Sequence, residues 1–177
     1  EIRAILSDIV DDDKRAGEVI RRLRGLLRKE DVRFRALDLN LLIRDVAKLL
    51  TSDAVIRNIA VRLELAPDPV LVSGDSVQLQ QVVLNLLLNA MESMAECAEG
   101  GRCITVRTEN TDVDAVHVSV QDAGTGFHQG TQHLVFEPFY TTKPSGMGMG
   151  LAISKSIIEA HGGLIWAEDN SIESPLR

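Results

Sequence analysis

The sequence predicts an α+β fold: a two-layer α/β sandwich with helices on one face of a mixed sheet, preceded by a long N-terminal helix. Three observations predict it. Short segments that alternate apolar and polar residues, the mark of half-buried strands, stand among longer segments of helical periodicity. The two kinds are mixed without strict strand–helix–strand alternation, which sets the chain apart from a parallel doubly wound sheet. Its 177 residues, 45% of them hydrophobic, suffice for one domain with a real core plus an appendage.

Glu1 to Lys29 contains no Pro, and Ile2, Leu6, Ile9, Asp13, Ala16, Ile20, Leu23 and Leu27 alternate spacings of four and three, a heptad seam. A helix of that length, about 43 Å, has a narrow apolar stripe and calls for partner helices. Asp13 interrupts the seam and forms an acidic patch with Asp11 and Asp12, read as a solvated kink. A polar joint, Lys29 to Arg35, places a domain boundary near residue 35, so that 1–35 and 36–177 are the two parts. Asp38 caps a helix whose one face holds Leu39, Leu42, Ile43, Val46, Leu49 and Leu50. Val61 to Leu65 and Val70 to Val72 read as strands, and Asp75 caps a helix running to about Ala98. Ile104 to Thr108 and Val116 to Val120 are expected as adjacent antiparallel strands across a polar connection. Leu151 to Ala160 reads as a helix and Leu164 to Ala167 as a final strand.

Composition excludes several classes. The formal charge of −7 and pI near 5.1 oppose broad binding to nucleic acid or anionic membranes, which needs a basic surface to displace counterions. Cys97 and Cys103 fit neither a zinc pattern nor a disulfide framework and read as reduced, buried thiols. No apolar run approaches the roughly 20 residues of a membrane span, and no signal-peptide core opens the chain. A cytoplasmic location without direct membrane contact is expected, though a parent protein can be membrane-anchored. The start at Glu1 reads as a piece of something longer.

Three stretches in fixed order carry chemistry: Asn85-Leu-Leu-Leu-Asn89, Asp122-Ala-Gly124-Thr-Gly126 and Gly146-Met-Gly148-Met-Gly150-Leu151. Gln81, Asn85 and Asn89 recur every fourth residue and share one helix face, where an amide oxygen can ligate Mg²⁺. Asp122 follows a strand and can accept a hydrogen bond from an exocyclic amine such as adenine's, with Gly124 and Gly126 letting a flat ligand approach. The third stretch feeds a helix from Leu151, whose free N–H groups can meet an anion. Its G-x-G-x-G spacing is neither a dinucleotide fingerprint nor a P-loop. Each stretch alone has a plainer reading: amides bonded to neighbouring backbone, a common turn, and Met147 and Met149 as gap-filling packing residues. Phe127 is expected in the core.

In order, the motifs resemble the ATP-binding catalytic domain of sensor histidine kinases of two-component systems, within the superfamily of gyrase, heat-shock chaperone and mismatch-repair ATPases and its Bergerat-type fold. The N box matches Gln81–Met94, the G1 box Asp122–Phe127, the F box Phe136-Glu-Pro-Phe-Tyr-Thr-Thr-Lys143 and the G2 box Gly146–Leu151, with Ile157 to Gly163 as the helix end that follows. Arg15 to Arg24 resembles the second helix of the dimerisation hairpin. The resemblance implies ATP and Mg²⁺ as cofactors, with Asn89 as metal ligand, Asn85 supporting the phosphates and Asp122 on the adenine amine. Gly124, Gly126, Gly146, Met147, Gly148, Met149, Gly150 and Leu151 would line the nucleotide. Lys143 is the candidate cation for the phosphates, because Glu92 stands where many relatives carry a lysine. Only two residues separate Lys143 from Gly146, so the lid over the nucleotide is short. The partners implied are a second copy through the N-terminal helix and a response-regulator receiver domain.

Hydrolytic members are expected to carry Glu at the position of Asn85, where a carboxylate serves as general base. Asparagine cannot take that proton, and phosphoryl transfer needs chiefly positioning and charge stabilisation, so the pocket fits a kinase better than a hydrolase, and the resemblance implies a protein-histidine kinase. His117 lies in a strand, His128 and His133 near the lid, and His161 at a helix end, where the dipole favours a cation. None has the setting of the phosphoacceptor, which is expected upstream, so the fragment binds ATP without completing autophosphorylation. Asn170 to Arg177 lacks an apolar closing strand, which would leave the sheet edge open. A protein-serine kinase or a nucleotide-dependent switch of the same superfamily is the alternative.

Overall fold

The computed structural model describes residues 33–170 apart from 96, 99, 112–114, 128–129 and 144–145, all within the second of the two units into which the chain divides, Arg33–Arg177. The expected helix over 1–29, its heptad seam and acidic patch, His128, and the tail beyond Asn170 lie outside the described residues.

Strand β1 (Arg35–Asp38) leads into helix α1 (Leu39–Leu49) and the short α2 (Thr51–Ile56). Leu39, Leu42, Ile43 and Val46 are buried, the one-face spacing of an amphipathic helix. Asp38 caps α1 as expected, its Oδ1 accepting the Asn40 N–H at 2.9 Å. Asn40 is also buried, a polar residue in the apolar layer, and its amide is satisfied there. It donates to the carbonyls of Ala66 (3.0 Å) and Asp68 (3.1 Å) and accepts from the Thr108 hydroxyl (2.7 Å).

Strands β2 (Ala60–Glu64), β4 (Cys103–Asn110) and β5 (Val116–Asp122) form a mixed sheet in the order β2-β4-β5, with β2 parallel and β5 antiparallel to β4. Strand β3 (Leu71–Gly74) pairs antiparallel with β1 in a separate two-stranded sheet, so the described strands make two sheets rather than one. Ile104 and Val106 of β4 and Val116, Val118 and Val120 of β5 face the helices, while Thr105, Arg107 and Glu109 take the other face. Helices on one side of a mixed sheet therefore hold as predicted.

Helix α3 (Ser76–Ser93) is the spine. Leu79, Val83, Leu87, Ala90 and Met91 join α1 and the sheet in the main apolar cluster, whereas Val82 turns to a second cluster with Met149, Ile153 and Ile157. Those last two residues belong to helix α4 (Gly150–Ala160). Helix α3 ends at Ser93 rather than near Ala98. Beyond that end Arg102 ties the chain down: its guanidinium donates to the carbonyls of Cys97 (2.6 Å) and Ala95 (3.3 Å) and, on the other side, Arg57 (3.0 Å).

Three further expectations are corrected. Leu164 to Ala167 forms no strand: it is extended, with Ile165 and Ala167 half-buried and Leu164 85% exposed, but makes no ladder hydrogen bond among the described residues. Cys97 and Cys103 are free thiols but half-buried rather than buried. Phe127 joins neither apolar cluster.

Candidate functional site

One face of α3 builds one wall of the site. Asn85, Asn89 and Ser93 recur every fourth residue and point the same way. Asn85 Nδ2 donates to the carbonyl of Gly150 at 3.2 Å and lies 3.4 Å from the hydroxyl of the buried Ser154, tying α3 to the first turn of α4. A Cβ on Gly150 would lie 3.9 Å from Asn89 Nδ2 and 4.0 Å from Asn85 Cγ, so both amides converge on the start of that helix. Asn89, half-exposed, has no hydrogen-bond partner among the described residues. No side chain caps α4, and its first N–H groups are an opening for an anion.

Ser93 extends the same face to Asp122. Asp122 Oδ1 accepts the Ser93 hydroxyl at 2.7 Å and the Gly124 N–H at 2.8 Å, leaving Oδ2 with no partner among the described residues. Gly124 is held by space: a Cβ there would stand 2.6 Å from Asp122 Oδ1 and 2.7 Å from Ser93 Cβ. A carboxylate with one oxygen fixed and the other free, beside backbone that no side chain shields, suits the amine edge of a flat base.

Two residues near the end of the described chain complete this side. Asp169 Oδ1 accepts the Phe127 N–H at 3.2 Å and its Oδ2 accepts from Gln132 Nε2 at 3.1 Å. Asn170 Nδ2 donates to the carbonyl of Asp122 at 2.6 Å.

The segment from Leu134 to Met149 builds the phosphate side. A turn of 3₁₀ helix, Leu134–Phe136, precedes Phe139. The Phe139 N–H donates to the carbonyl of Gly148 at 3.0 Å, and both residues have positive φ, 67° and 64°. A Cβ on Gly148 would fall 2.6 Å from the carbonyl carbons of Phe139 and Tyr140, so only glycine fits. Lys143 Nζ lies 2.7 Å from Glu92 Oε2, one turn beyond Asn89 on α3. The cation reaches the asparagine face from a loop, paired with the carboxylate that occupies the helix position itself. Gly146 packs against Thr141 and Lys143, and Met147 and Met149 spend their side chains on the second apolar cluster. Leu151 is half-buried in the first turn of α4.

His161 and His117 are occupied elsewhere. His161 Nδ1 lies 2.8 Å from the carbonyl of Ile157, and its Nε2 accepts the Asp75 N–H at 3.0 Å. His161 is thus a clamp between the end of α4 and the start of α3. His117 stacks on Trp166, with ring centroids 5.3 Å apart and planes 5° from parallel.

Sequence reasoning named Asn85, Asn89, Asp122, Lys143 and the glycines, and the structure sets them along α3, at the β5 end and at the start of α4. It missed Ser93, Asp169 and Asn170. Ser93 had a signal, the fourth-residue repeat from Asn85 and Asn89. Asp169 and Asn170 had none, since their partners lie 42 and 48 residues away.

A helix face of amides, a half-free carboxylate at a strand end and a glycine segment feeding a helix define a nucleotide-binding α+β sandwich. Residues 74–174 match the family model described as histidine kinase-, DNA gyrase B- and HSP90-like ATPase, and the chain belongs to that family. It is 39% identical over 171 residues to the sensor protein FixL of Bradyrhizobium diazoefficiens, covering 97% of this chain and 34% of that protein. The catalytic domain of histidine kinase ThkA, solved nucleotide-free, superposes with a TM-score of 0.70 at 34% identity, covering 78% of this chain and 88% of that one. ThkA in complex with the response regulator TrrA gives 0.75 at 27% identity, over 92% of this chain and 46% of that one. The chain is an ATP-binding catalytic domain of the sensor histidine kinase type, and it spans about a third or less of the length of FixL and other curated relatives it matches.

Proposed function

We propose that the chain binds Mg·ATP between α3 and the glycine segment and presents the γ-phosphoryl group to a histidine of the parent protein outside these residues, for relay to a response-regulator aspartate. The observation that carries this reading is the convergence of Asn85, Asn89 and the uncapped start of α4 at one end of the cleft, with the free Asp122 oxygen at the other. The residues fit both ligands. Asp122 Oδ2 takes the adenine amine, and the Cβ-free Gly124 allows the ring to approach. The unpartnered Asn89 amide oxygen is the metal ligand; Mg²⁺ takes oxygen donors and, when bound, neutralises phosphate charge. Among the described residues no cluster of His, Cys, Asp and Glu offers another metal site. Asn85 fixes the first turn of α4 so that its N–H groups face the phosphates, and Lys143 adds the positive charge. Asn85 cannot accept a proton from water, and transfer to a presented nucleophile does not require it to.

His161 and His117 are engaged in structural contacts away from the cleft, which supports an acceptor elsewhere. Dimerisation through the segment 1–35 and docking of a receiver domain belong to the parent protein, as does a cytoplasmic location. Among the described residues no helix is long and apolar enough to cross a membrane.

Calorimetric titration with ATP tests the reading. Micromolar to millimolar binding that requires Mg²⁺ is expected, with no phosphohistidine formed by the chain alone. Asn89→Ala should abolish the Mg²⁺ requirement of the remaining affinity. Absence of ATP binding, or an unaltered Mg²⁺ titration in Asn89→Ala, would contradict the assignment. Joined to the segment bearing the acceptor histidine, the chain is expected to dimerise and form acid-labile phosphohistidine.

A further inference from the structure

Between Gly163 and Asp169 the chain makes no ladder hydrogen bond among the described residues, and side chains hold it in place. Trp166 stacks on His117 of β5, and its indole N–H reaches Glu168 at 3.1 Å. The segment then ends in two polar ties, and both go to the base side of the cleft. Asn170 donates to the main-chain carbonyl of Asp122 at 2.6 Å. Asp169 uses both carboxylate oxygens, one on the Phe127 N–H and one on Gln132 Nε2. Gly126, next to Phe127, has φ of +70°, and a Cβ there would lie 3.1 Å from Asp169 Oδ1. The carboxyl of Asp122 is already fixed on one oxygen by Ser93 and Gly124; its main chain is fixed by Asn170.

We propose that Asp169 and Asn170 are positioning residues for base recognition, a strap that sets where the free oxygen of Asp122 stands and how closely the loop 124–127 approaches the ring. The inference rests on the nucleotide reading above. Neither residue touches the phosphate end, where Asn85, Asn89, Lys143 and the start of α4 act. The strap should therefore govern affinity for the base and leave affinity for phosphate unchanged, a split that general destabilisation would not produce.

The test is calorimetric titration of the 177-residue chain with Mg·ATP, Mg·GTP and magnesium tripolyphosphate, for the parent sequence and for Asn170→Ala, Asp169→Ala and Asn170→Asp. The last keeps the shape and removes the donor, which covers the case in which truncation to Ala disturbs folding. Each Asn170 variant is expected to bind ATP roughly two- to tenfold more weakly, the range for one lost hydrogen bond, and Asp169→Ala, which loses two, at least as much. Preference for ATP over GTP should narrow by the same factor, and tripolyphosphate affinity should stay constant. Equal losses for ATP and tripolyphosphate, or unchanged ATP binding in all three variants, would overturn the strap while the nucleotide site stands. A parent chain that binds tripolyphosphate but not ATP would overturn both readings.

Discussion

At Asp122 the two carboxylate oxygens have different duties: Oδ1 takes Ser93 and Gly124, while Oδ2 is free for a ligand. Asp122→Asn can keep the first pair and still place an amide where an acceptor is needed, turning an attraction for adenine's amine into a donor–donor clash. ATP affinity is expected to fall about 10- to 100-fold, the range for a hydrogen bond to a charged group, with GTP affected less; a competition titration reads the ratio. Gly124→Ala forces a Cβ to within 2.7 Å of Ser93 Cβ. It should cost about 1–3 kcal/mol in a thermal melt as overpacking does, and it should displace the Asp122 carboxylate, so ATP binding weakens as well. Both residues were legible in the sequence, since an Asp and two glycines after a strand already imply a carboxylate beside open backbone. Ser93 as the partner of Asp122 was not, because a serine late in a helix is bland until the fold sets the β5 end beside it. The clamp role of His161 was hidden for the same reason: adjacency along the chain showed only a helix end, whereas its partner, the Asp75 N–H, lies 86 residues away.

Helix α3 carries the site, and its start is fixed by Asp75, whose carboxylate caps the N–H groups of Gln78 and Val77 and accepts from Arg33. The Gln78 N–H, chief among these donors, holds the carboxyl below its ordinary value near 3.8, with the Arg33 and Val77 N–H groups adding to the effect. A lowered folded-state pKa means that the unfolded chain binds the proton more readily. The contribution is therefore complete above the ordinary value and fades as pH falls through the lower, folded value. Asp75→Ala is expected to destabilise the chain by about 1 kcal/mol at neutral pH, the usual worth of an N-cap. The difference from the parent should shrink at acid pH; pH-dependent urea melts measure it, and a constant difference down to strong acid would contradict the cap. The start of this helix was readable from one residue type at one position. Its end was not: the chain beyond Ser93 is held by Arg102, which folds back from the far side of a turn. Leu164 to Ala167 is a short apolar run whose exposure alternates as in a strand, but a strand also needs a partner within hydrogen-bonding reach.

Across the described unit, α3 divides its surface among three tasks: the main core with α1 and the sheet, the smaller cluster under α4, and the asparagine face. The two clusters predict different failures. Leu87, 1% exposed in the main cluster, should cost about 2–5 kcal/mol on truncation to Ala and lower the global melting temperature. Ile153→Ala, in the small cluster that also holds Met149, should loosen α4 and the glycine segment. The expected result is a larger loss of ATP affinity than of melting temperature, with hydrogen exchange rising over 146–157 first; equal exchange rises in both variants would show that the clusters fail together. The sequence by itself determined the fold class, the helix and strand types and the identity of the asparagines, the aspartate and the glycines, because periodicity and residue chemistry act over a few positions. Only the tertiary structure decided which groups those residues spend on one another. Asn85 meets Gly150, Lys143 meets Glu92, and Asp122 is held by Ser93 and Asn170. Those pairings join residues from 29 to 65 positions apart, and packing of the apolar faces, which carries no local trace of its polar consequences, is what brings them within hydrogen-bond distance.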